Sequence, residues 1–337
     1  MEHQRGDLLD ISGLRVVFNT YAGQVKALNG VELWMNQGER LGVVGETGCG
    51  KSVTALSVMR LIEEPGEITS GSIWFEARDL ARLSENDLNS IRGKDIAMIF
   101  QEPVAALNPV MKVGAQIIEN IECQRHSADA GHGEDKRAFP EVMRDMLSKV
   151  GLDWQRTENL YPNELSGGMA QRVMIAMALS SKPKLLIADE PTSALDVTIQ
   201  AQILNLLNKL VRETQTAVLL ITHAMGVAAQ FCDFIAVMYA GNVVEYGSVQ
   251  SIFRNPLHPY TKGLLNAVPK IARTDELQSI PGIVPDLTAP PSGCRFHPRC
   301  SCRNPQCDTL EPTLRSVEAE PAEDRHHVAC FLYQNNA

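Results

Sequence analysis

Apolar and polar residues alternate along positions 8–36, as in Leu14-Arg15-Val16-Val17-Phe18 and Val31-Glu32-Leu33-Trp34. That period of two predicts antiparallel strands with one buried face. Ser72-Ile73-Trp74-Phe75 predicts another strand. Elsewhere the pattern is continuous rather than alternating, in Leu41-Gly42-Val43-Val44, Lys184-Leu185-Leu186-Ile187-Ala188 and Ala217-Val218-Leu219-Leu220-Ile221. Short runs of this kind suit parallel strands buried on both faces. Val53–Leu61 and Thr198–Thr214 have helical spacing, so strands and helices alternate and an α/β sheet is expected. Residues 111–180 have helical character, interrupted by the polar stretch Gln124–Arg137, which reads as a mobile loop. Ala236–Glu245 predicts a late hairpin. After about residue 255 the texture changes: prolines 256, 259, 269, 281, 285, 290 and 291, then clustered cysteines, mark a separate extension. No internal repeat is visible.

The 337 residues leave room for two domains, or one large domain with an appendage, and 44% hydrophobic content supports a substantial core. A net charge of −9 argues against broad nucleic-acid binding through counterion release. No apolar run approaches the ~18–20 residues that span a bilayer. Met1–Asp7 lacks an apolar signal core. A cytosolic protein is expected, with any membrane role acting through a partner. In that setting eight cysteines suggest metal binding or buried thiols rather than disulfides.

The chemistry concentrates in three short segments. Gly45-Glu46-Thr47-Gly48-Cys49-Gly50-Lys51-Ser52 reads G-x-x-x-x-G-K-S, a phosphate-binding loop between an apolar strand and a helix. Glycines let its backbone N–H groups turn inward, and the helix N-terminus adds partial positive charge. Lys51 reaches the β- and γ-phosphates of a nucleotide in such loops, and Ser52 ligates Mg²⁺. Cys49 sits beside a helix N-terminus, which can lower a thiol's pKa, but the plainer reading of a small loop residue is favoured. Leu185–Ala188 ends in Asp189-Glu190: the first acid suits a Mg²⁺ shell and the second suits a base that polarises water. Leu165-Ser166-Gly167-Gly168-Met169-Ala170-Gln171-Arg172 places a serine and two glycines at the start of a predicted helix, as either an N-cap or a second anion cradle.

In this order the segments resemble those of ATP-binding-cassette (ABC) ATPases, and the resemblance covers almost the whole chain. Ile99-Phe100-Gln101-Glu102 resembles the Q-loop, Ser193-Ala194-Leu195-Asp196 the D-loop, and His223 the switch histidine. The resemblance implies an α/β P-loop NTPase fold with a RecA-like core, an antiparallel β subdomain and an α-helical subdomain at about 102–175. It implies that two cassettes pack head to tail, with ATP between the phosphate loop of one and the signature of the other. Gly45, Glu46, Thr47, Gly48, Cys49, Gly50, Lys51, Ser52 and Val53 would hold phosphates. Ser166, Gly167, Gly168, Gln171 and Asp196 would serve the nucleotide on the partner cassette. Ser52, Gln101 and Asp189 would surround Mg²⁺, with Glu190 as general base and His223 on the γ-phosphate and the attacking water. Phe18 stands where the family stacks an aromatic on adenine, with Tyr21 as the alternative. Thr47 replaces the more usual serine, and Ala224 follows His223 where an aspartate is usual.

Asn255-Pro256-Leu257-His258-Pro259-Tyr260-Thr261, with Gln101-Glu102-Pro103 and Leu107-Asn108-Pro109, resembles the dipeptide and oligopeptide importer branch, which includes nickel and glutathione importers. The division expected is a nucleotide-binding domain, 1–255, and an importer-type extension, 256–337. The branch implies two transmembrane permease subunits, a second and related ATPase subunit, an external binding protein and a place at the cytoplasmic face of the inner membrane. The extension carries Cys294-x5-Cys300-x6-Cys307-x22-Cys330, with Cys302 as a spare. Four thiolates in a proline-rich segment suggest a metal or iron–sulfur centre. The resemblance implies a [4Fe–4S] cluster, with zinc as the alternative. A nucleic-acid-linked cassette ATPase is disfavoured by the single cassette, the acidic balance and the lack of sustained heptads. A GTPase switch is disfavoured because Asn208-Lys209-Leu210-Val211 lacks the acid of a guanine-reading motif.

Overall fold

The computed structural model describes residues 5–126, 138–193, 195–267, 279–317 and 325–334. The chain divides into two compact units: residues 1–82 with 220–337, and residues 83–219.

The alternating N-terminal segment forms two long antiparallel strands, β1 (Leu9–Thr20) and β2 (Gly23–Met35), with Leu9 opposite Met35 and Thr20 opposite Gly23. Leu9, Ile11, Leu14 and Val16 are buried, as the alternation predicts, although register shifts after Ile11 adjust which residues face inward. β3 (Arg40–Val44) is buried from Leu41 onward and leads through the phosphate-loop motif into α1 (Lys51–Val58). β4 (Gly66–Phe75) pairs with β1, and β5 (Arg78–Asp79) completes a four-stranded sheet in the order β2-β1-β4-β5. The predicted strand at Ser72–Phe75 is therefore the end of a longer one.

The second unit begins with α2 (Glu85–Ile91), whose cap Ser84 accepts a bond from the Asp87 N–H. β6 (Ile96–Ile99) follows, buried at every position. Then come α3 (Pro103–Ala106), α4 (Val113–His126), α5 (Ala138–Lys149), α6 (Trp154–Thr157) and α7 (Gly167–Leu179). Val113, Ile117 and Ile121 of α4 recur at helical spacing and pack with Phe139, Met143 and Leu147 of α5 and Ala170 and Val173 of α7. Residues 127–137 of the predicted polar loop lie outside the described residues. β7 (Leu185–Asp189) pairs in parallel with β6, Ile96 opposite Leu185 and Ile99 opposite Ala188. α8 (Val197–Thr214) follows, and the chain leaves this unit within β8 (Ala217–Thr222).

Back in the first unit come α9 (Met225–Phe231), β9 (Phe234–Tyr239), β10 (Asn242–Ser248), α10 (Val249–Arg254) and α11 (Pro259–Asn266). β9 runs parallel to β3, with Leu41 opposite Phe234, and forms the predicted hairpin with β10. The extension's β11 (Arg315–Ser316) and β12 (His327–Val328) carry the sheet onward from β10 in the order β11-β12-β10-β9-β3. Arg40 forks onto Asp233 through Nε at 3.0 Å and Nη2 at 2.5 Å, which fixes the starts of β3 and β9 beside one another. Trp34 stacks on Tyr246 at 4.4 Å, and the Tyr246 hydroxyl donates to the Trp34 carbonyl at 2.9 Å.

A buried carboxylate fastens the extension to this sheet. Glu245 on β10 has no exposure and accepts bonds from the Leu257 and His258 N–H groups at 2.8 and 2.9 Å. Its Oε1 also lies 2.8 Å from His326 Nε2. A carboxylate out of water is tolerable only when its lone pairs are taken up in this way. His258 Nδ1 in turn accepts the Tyr260 N–H at 3.1 Å and caps α11, which requires that nitrogen to be unprotonated. Burial is the main cause that pushes the His258 pKa down from 6.5 to about 4. Between those values the unfolded chain binds a proton that the folded chain refuses. Stability should therefore fall as pH drops through that window. His258→Asn keeps a capping oxygen without the proton site. Its melting temperature should lose less than wild type's on acidification from about pH 7 to about pH 4.5, as checked by thermal melts across the range. Parallel losses would contradict the assignment.

Candidate functional site

The phosphate-loop motif sits on the first unit, between β3 and α1. Two glycines are required by crowding. A Cβ on Gly45 would lie 2.2 Å from the Met238 carbonyl oxygen, and one on Gly50 would lie 2.6 Å from Leu28 and 3.0 Å from the Ala27 carbonyl. Gly50 takes φ 104 as the N-cap residue of α1, a conformation that side chains oppose. The first helical bond comes back to Gly50, from the Thr54 N–H at 2.9 Å. The amides of Lys51, Ser52 and Val53 thus precede any carbonyl that the helix can offer them, as at every helix N-terminus. Thr47 and Gly48 are exposed at the loop tip, and Ser52 and Val53 are half-buried.

Lys51 is only 5% exposed and folds over the loop, its Nζ donating to the Gly45 and Glu46 carbonyls at 2.9 and 3.0 Å. The ammonium, the helix-start amides and the Ser52 hydroxyl form a donor set suited to a polyphosphate and its Mg²⁺. Cys49 fits the plainer of its two readings, a small loop residue, and not the reactive thiol. It is 1% exposed, and burial pushes its pKa up, with Lys51 pulling the other way and losing. The helix terminus and ammonium do not compensate for removing a thiolate from water.

Other predicted residues on this unit are placed individually. Phe18 is half-buried on β1 against Gly66, where a Cβ would come within 2.6 Å of its ring. Tyr21, at the turn between β1 and β2, is fully exposed. His223 follows β8 and is exposed, and the Ala224 N–H after it donates to the Thr222 hydroxyl at 3.0 Å.

The second unit carries the remaining group. β6 and β7 run parallel, so their C-terminal ends bring Gln101 and Glu190 together, with Gln101 Nε2 donating to Glu190 Oε2 at 3.3 Å. Asp189 ends β7 and is 7% exposed. Glu190 turns to φ 44, an uncommon conformation for a side-chain-bearing residue. Ser193 secures that turn, donating to the Glu190 carbonyl from both its N–H and its hydroxyl at 3.1 Å. Ser166 caps α7 by accepting the Met169 N–H at 3.3 Å, and Asp196 caps α8 by accepting the Thr198 and Ile199 N–H groups at 3.1 and 3.0 Å. Small residues let these two helix starts approach: a Cβ on Gly167 would meet Leu195 at 3.4 Å, and one on Gly168 would meet Ile199 at 3.1 Å. Gln171 is 1% exposed and turned into the helical body. Ala194 lies outside the described residues.

The extension's cysteines occupy one neighbourhood. The Cys294 N–H donates to the Cys307 carbonyl at 2.9 Å. Burial pushes the Cys294 thiol up to about 12, with further upward pressure from Cys307, Cys330 and Cys300. Cys330 is pushed up to about 11, again by burial first and then by Cys300, Cys307 and Cys302. Among the described residues, however, no three His, Cys, Asp or Glu side chains are arranged as a metal-holding group. All eight cysteines are free thiols. A thiol must lose its proton to hold a metal, and burial raises the pKa of Cys294, Cys300 and Cys330.

Sequence reasoning missed what holds the loop in place. The Tyr260 hydroxyl accepts the Glu46 N–H at 3.0 Å, and Arg299 pairs with the Glu46 carboxylate at 2.8 Å. The Cys49 carbonyl accepts the Gly241 N–H at 2.8 Å. Next to it, Arg295 donates to the Ala240 and Lys26 carbonyls. Nothing local in the sequence marks these long-range bonds.

Comparison with known proteins agrees with this geometry. Residues 28–193 match the ABC transporter family, and residues 244–307 match the oligopeptide/dipeptide transporter C-terminal region. The chain is 47% identical to the dipeptide transport ATP-binding protein DppD of Bacillus subtilis, over 98% of this chain and 96% of DppD. It is 48% identical to the oligopeptide transport ATP-binding protein OppD of Salmonella typhimurium, over 90% of this chain and 89% of OppD. The fold is similar to that of the bacterial ABC transporter cassette MJ0796, solved as a dimer, with a TM-score of 0.63 and 26% identity over 72% of this chain and 99% of MJ0796. With both segments matched and relatives aligned along nearly its whole length, the chain belongs to the ABC-transporter ATP-binding proteins of the oligopeptide/dipeptide transporter family.

Proposed function

We propose that this chain binds and hydrolyses ATP to energise import of di- or oligopeptides across the bacterial inner membrane. The observation that carries this reading is the phosphate loop with Lys51 in place, on a chain whose extension matches the peptide-transporter C-terminal region. Its division is a nucleotide-binding domain, 1–255, and an importer-type extension, 256–337. Gly45 to Val53 cradle the phosphates. Ser52, Asp189 and Gln101 serve Mg²⁺, which supplies charge neutralisation at the phosphates when bound. Glu190 takes the proton of the attacking water, with Gln101 positioned beside it. His223 contacts the γ-phosphate. Ser166, Gly167 and Gly168, with Asp196 close by and Gln171 behind them, meet the nucleotide of a partner cassette. Phe18, half-buried on β1, stacks on adenine, with the exposed Tyr21 as the alternative.

No helix among the described residues is long and apolar enough to cross a membrane. The match to the transporter family supports two transmembrane permease subunits as carriers of the cargo, at whose cytoplasmic face this chain and a related second ATPase dock. Phe100, Val104 and Val110, on the segment after β6, are large apolar side chains exposed on the second unit and suit that docking. An external binding protein delivers the cargo to the assembled complex.

A [4Fe–4S] cluster on Cys294, Cys300, Cys307 and Cys330 is our reading of the extension, with zinc as the alternative. The mutual influence of these thiols supports it, and the described arrangement would have to tighten around the metal.

Three outcomes are expected. Uptake of a labelled dipeptide, lost on deletion of the gene, should return with wild type and not with Lys51→Ala. Normal dipeptide uptake in the deletion strain would move the cargo to longer peptides, nickel chelates or glutathione. Glu190→Gln should lower steady-state ATP hydrolysis by about 10²-fold or more while nucleotide stays bound, and unchanged turnover would remove Glu190 from the role. Protein prepared anaerobically should be brown, with broad absorption near ~400 nm. Colourless protein with stoichiometric zinc would overturn the iron–sulfur assignment.

A further inference from the structure

Glu46 is an awkward residue for its position. It is the second residue of the loop that must receive a polyphosphate, and a bare carboxylate there would repel that ligand. The structure pairs it. Arg299 forks onto the carboxylate, with Nη1 to Oε2 at 2.8 Å and Nη2 to Oε1 at 3.2 Å. The Arg299 side chain is 5% exposed and that of Glu46 is 28% exposed, so the pair is partly withdrawn from solvent screening. The extension sets where the guanidinium sits. Arg299 Nε donates to the Pro281 carbonyl at 2.9 Å and Nη2 to the Ile280 carbonyl at 3.3 Å. Nη1 donates to the Tyr239 hydroxyl at 3.4 Å. The backbone N–H of the same glutamate is held by Tyr260. Both the charge and the backbone of Glu46 are thus controlled from beyond residue 255.

We propose that Arg299 masks the charge of Glu46, so that the phosphate loop takes nucleotide tightly only while the extension is seated against it. The proposal goes beyond ATP binding itself: it makes Arg299 a positioning and charge-masking residue, and it makes the extension a determinant of nucleotide affinity. Arg299 directly precedes Cys300, so any rearrangement at that cysteine acts on the mask through one peptide bond.

The test is equilibrium binding of MgATP to the purified full-length chain, read by displacement of a fluorescent ATP analogue, with thermal melts in parallel. Arg299→Gln should weaken binding about tenfold at low salt, and less at high salt, because it exposes the Glu46 charge. Arg299→Lys, which keeps the charge without the fork, should fall between it and wild type. Adding Glu46→Gln to Arg299→Gln should recover most of the lost affinity, since no charge then needs masking. A contact that only holds the loop's shape would not behave so: the double variant would bind as weakly as Arg299→Gln, or more weakly, and that result would overturn the proposal. Arg299→Gln with a lower melting temperature and wild-type affinity would overturn it too. A wild type that bound no MgATP would overturn the nucleotide reading of the loop, and the masking with it.

Discussion

A phosphate loop has to keep a run of backbone donors aimed at a ligand, and so cannot use those donors to hold itself together. That constraint shapes the first unit. Most of the loop's ties come from outside it: the Glu46 N–H is held by Tyr260, the Glu46 carboxylate by Arg299 and the Cys49 carbonyl by the Gly241 N–H, while inside it the Cys49 N–H donates to the Glu46 carbonyl at 3.3 Å. Gly45 and Gly50 let the neighbouring Met238 and Ala27 carbonyls approach closer than any Cβ would allow. Lys51 bonds to the Gly45 and Glu46 carbonyls and holds a cation over the loop.

These tethers make the extension part of the nucleotide-binding unit rather than a pendant. Its chain docks through Glu245, a buried carboxylate that takes two N–H groups and His326. Removing one such partner would strand a charge away from water, so the arrangement is held as a whole. The ring of Phe296 lies 5.0 Å from Tyr239 and 5.4 Å from Tyr260, which gives the contact an apolar centre as well as polar ties. The same Tyr260 that seals this cluster presents its hydroxyl to the loop.

The strands and helices that could be read from sequence carry local signals. Alternation marked β1 and β2, continuous apolar runs marked β3, β7 and β8, and the loop motif stood between β3 and α1 as its spacing implied. Ser166 and Asp196 act as helix caps, the plainer reading that serine or aspartate before an apolar helix always offers. What sequence could not supply was long-range pairing. Glu46 and Arg299 are separated by 253 positions and Glu245 and His326 by 81, and no periodicity joins them. The choice between the two readings of Cys49 turns on a folded-state property as well. The helix terminus and the lysine are visible in sequence, but the burial that outweighs them belongs to the folded state.

The central claim is that the loop is pre-formed by contacts that leave its Gly48 and Gly50 amides to the ligand. Amide hydrogen exchange resolved to single residues across 45–53, with and without MgATP, tests it most directly. The account predicts that the Glu46 amide is already protected without nucleotide, while the amides of Gly48 and Gly50 gain protection only when MgATP is added. A Glu46 amide that exchanges as freely as an unstructured one before nucleotide is added, and slows only afterwards, would show that the ligand builds the loop, and would contradict the account.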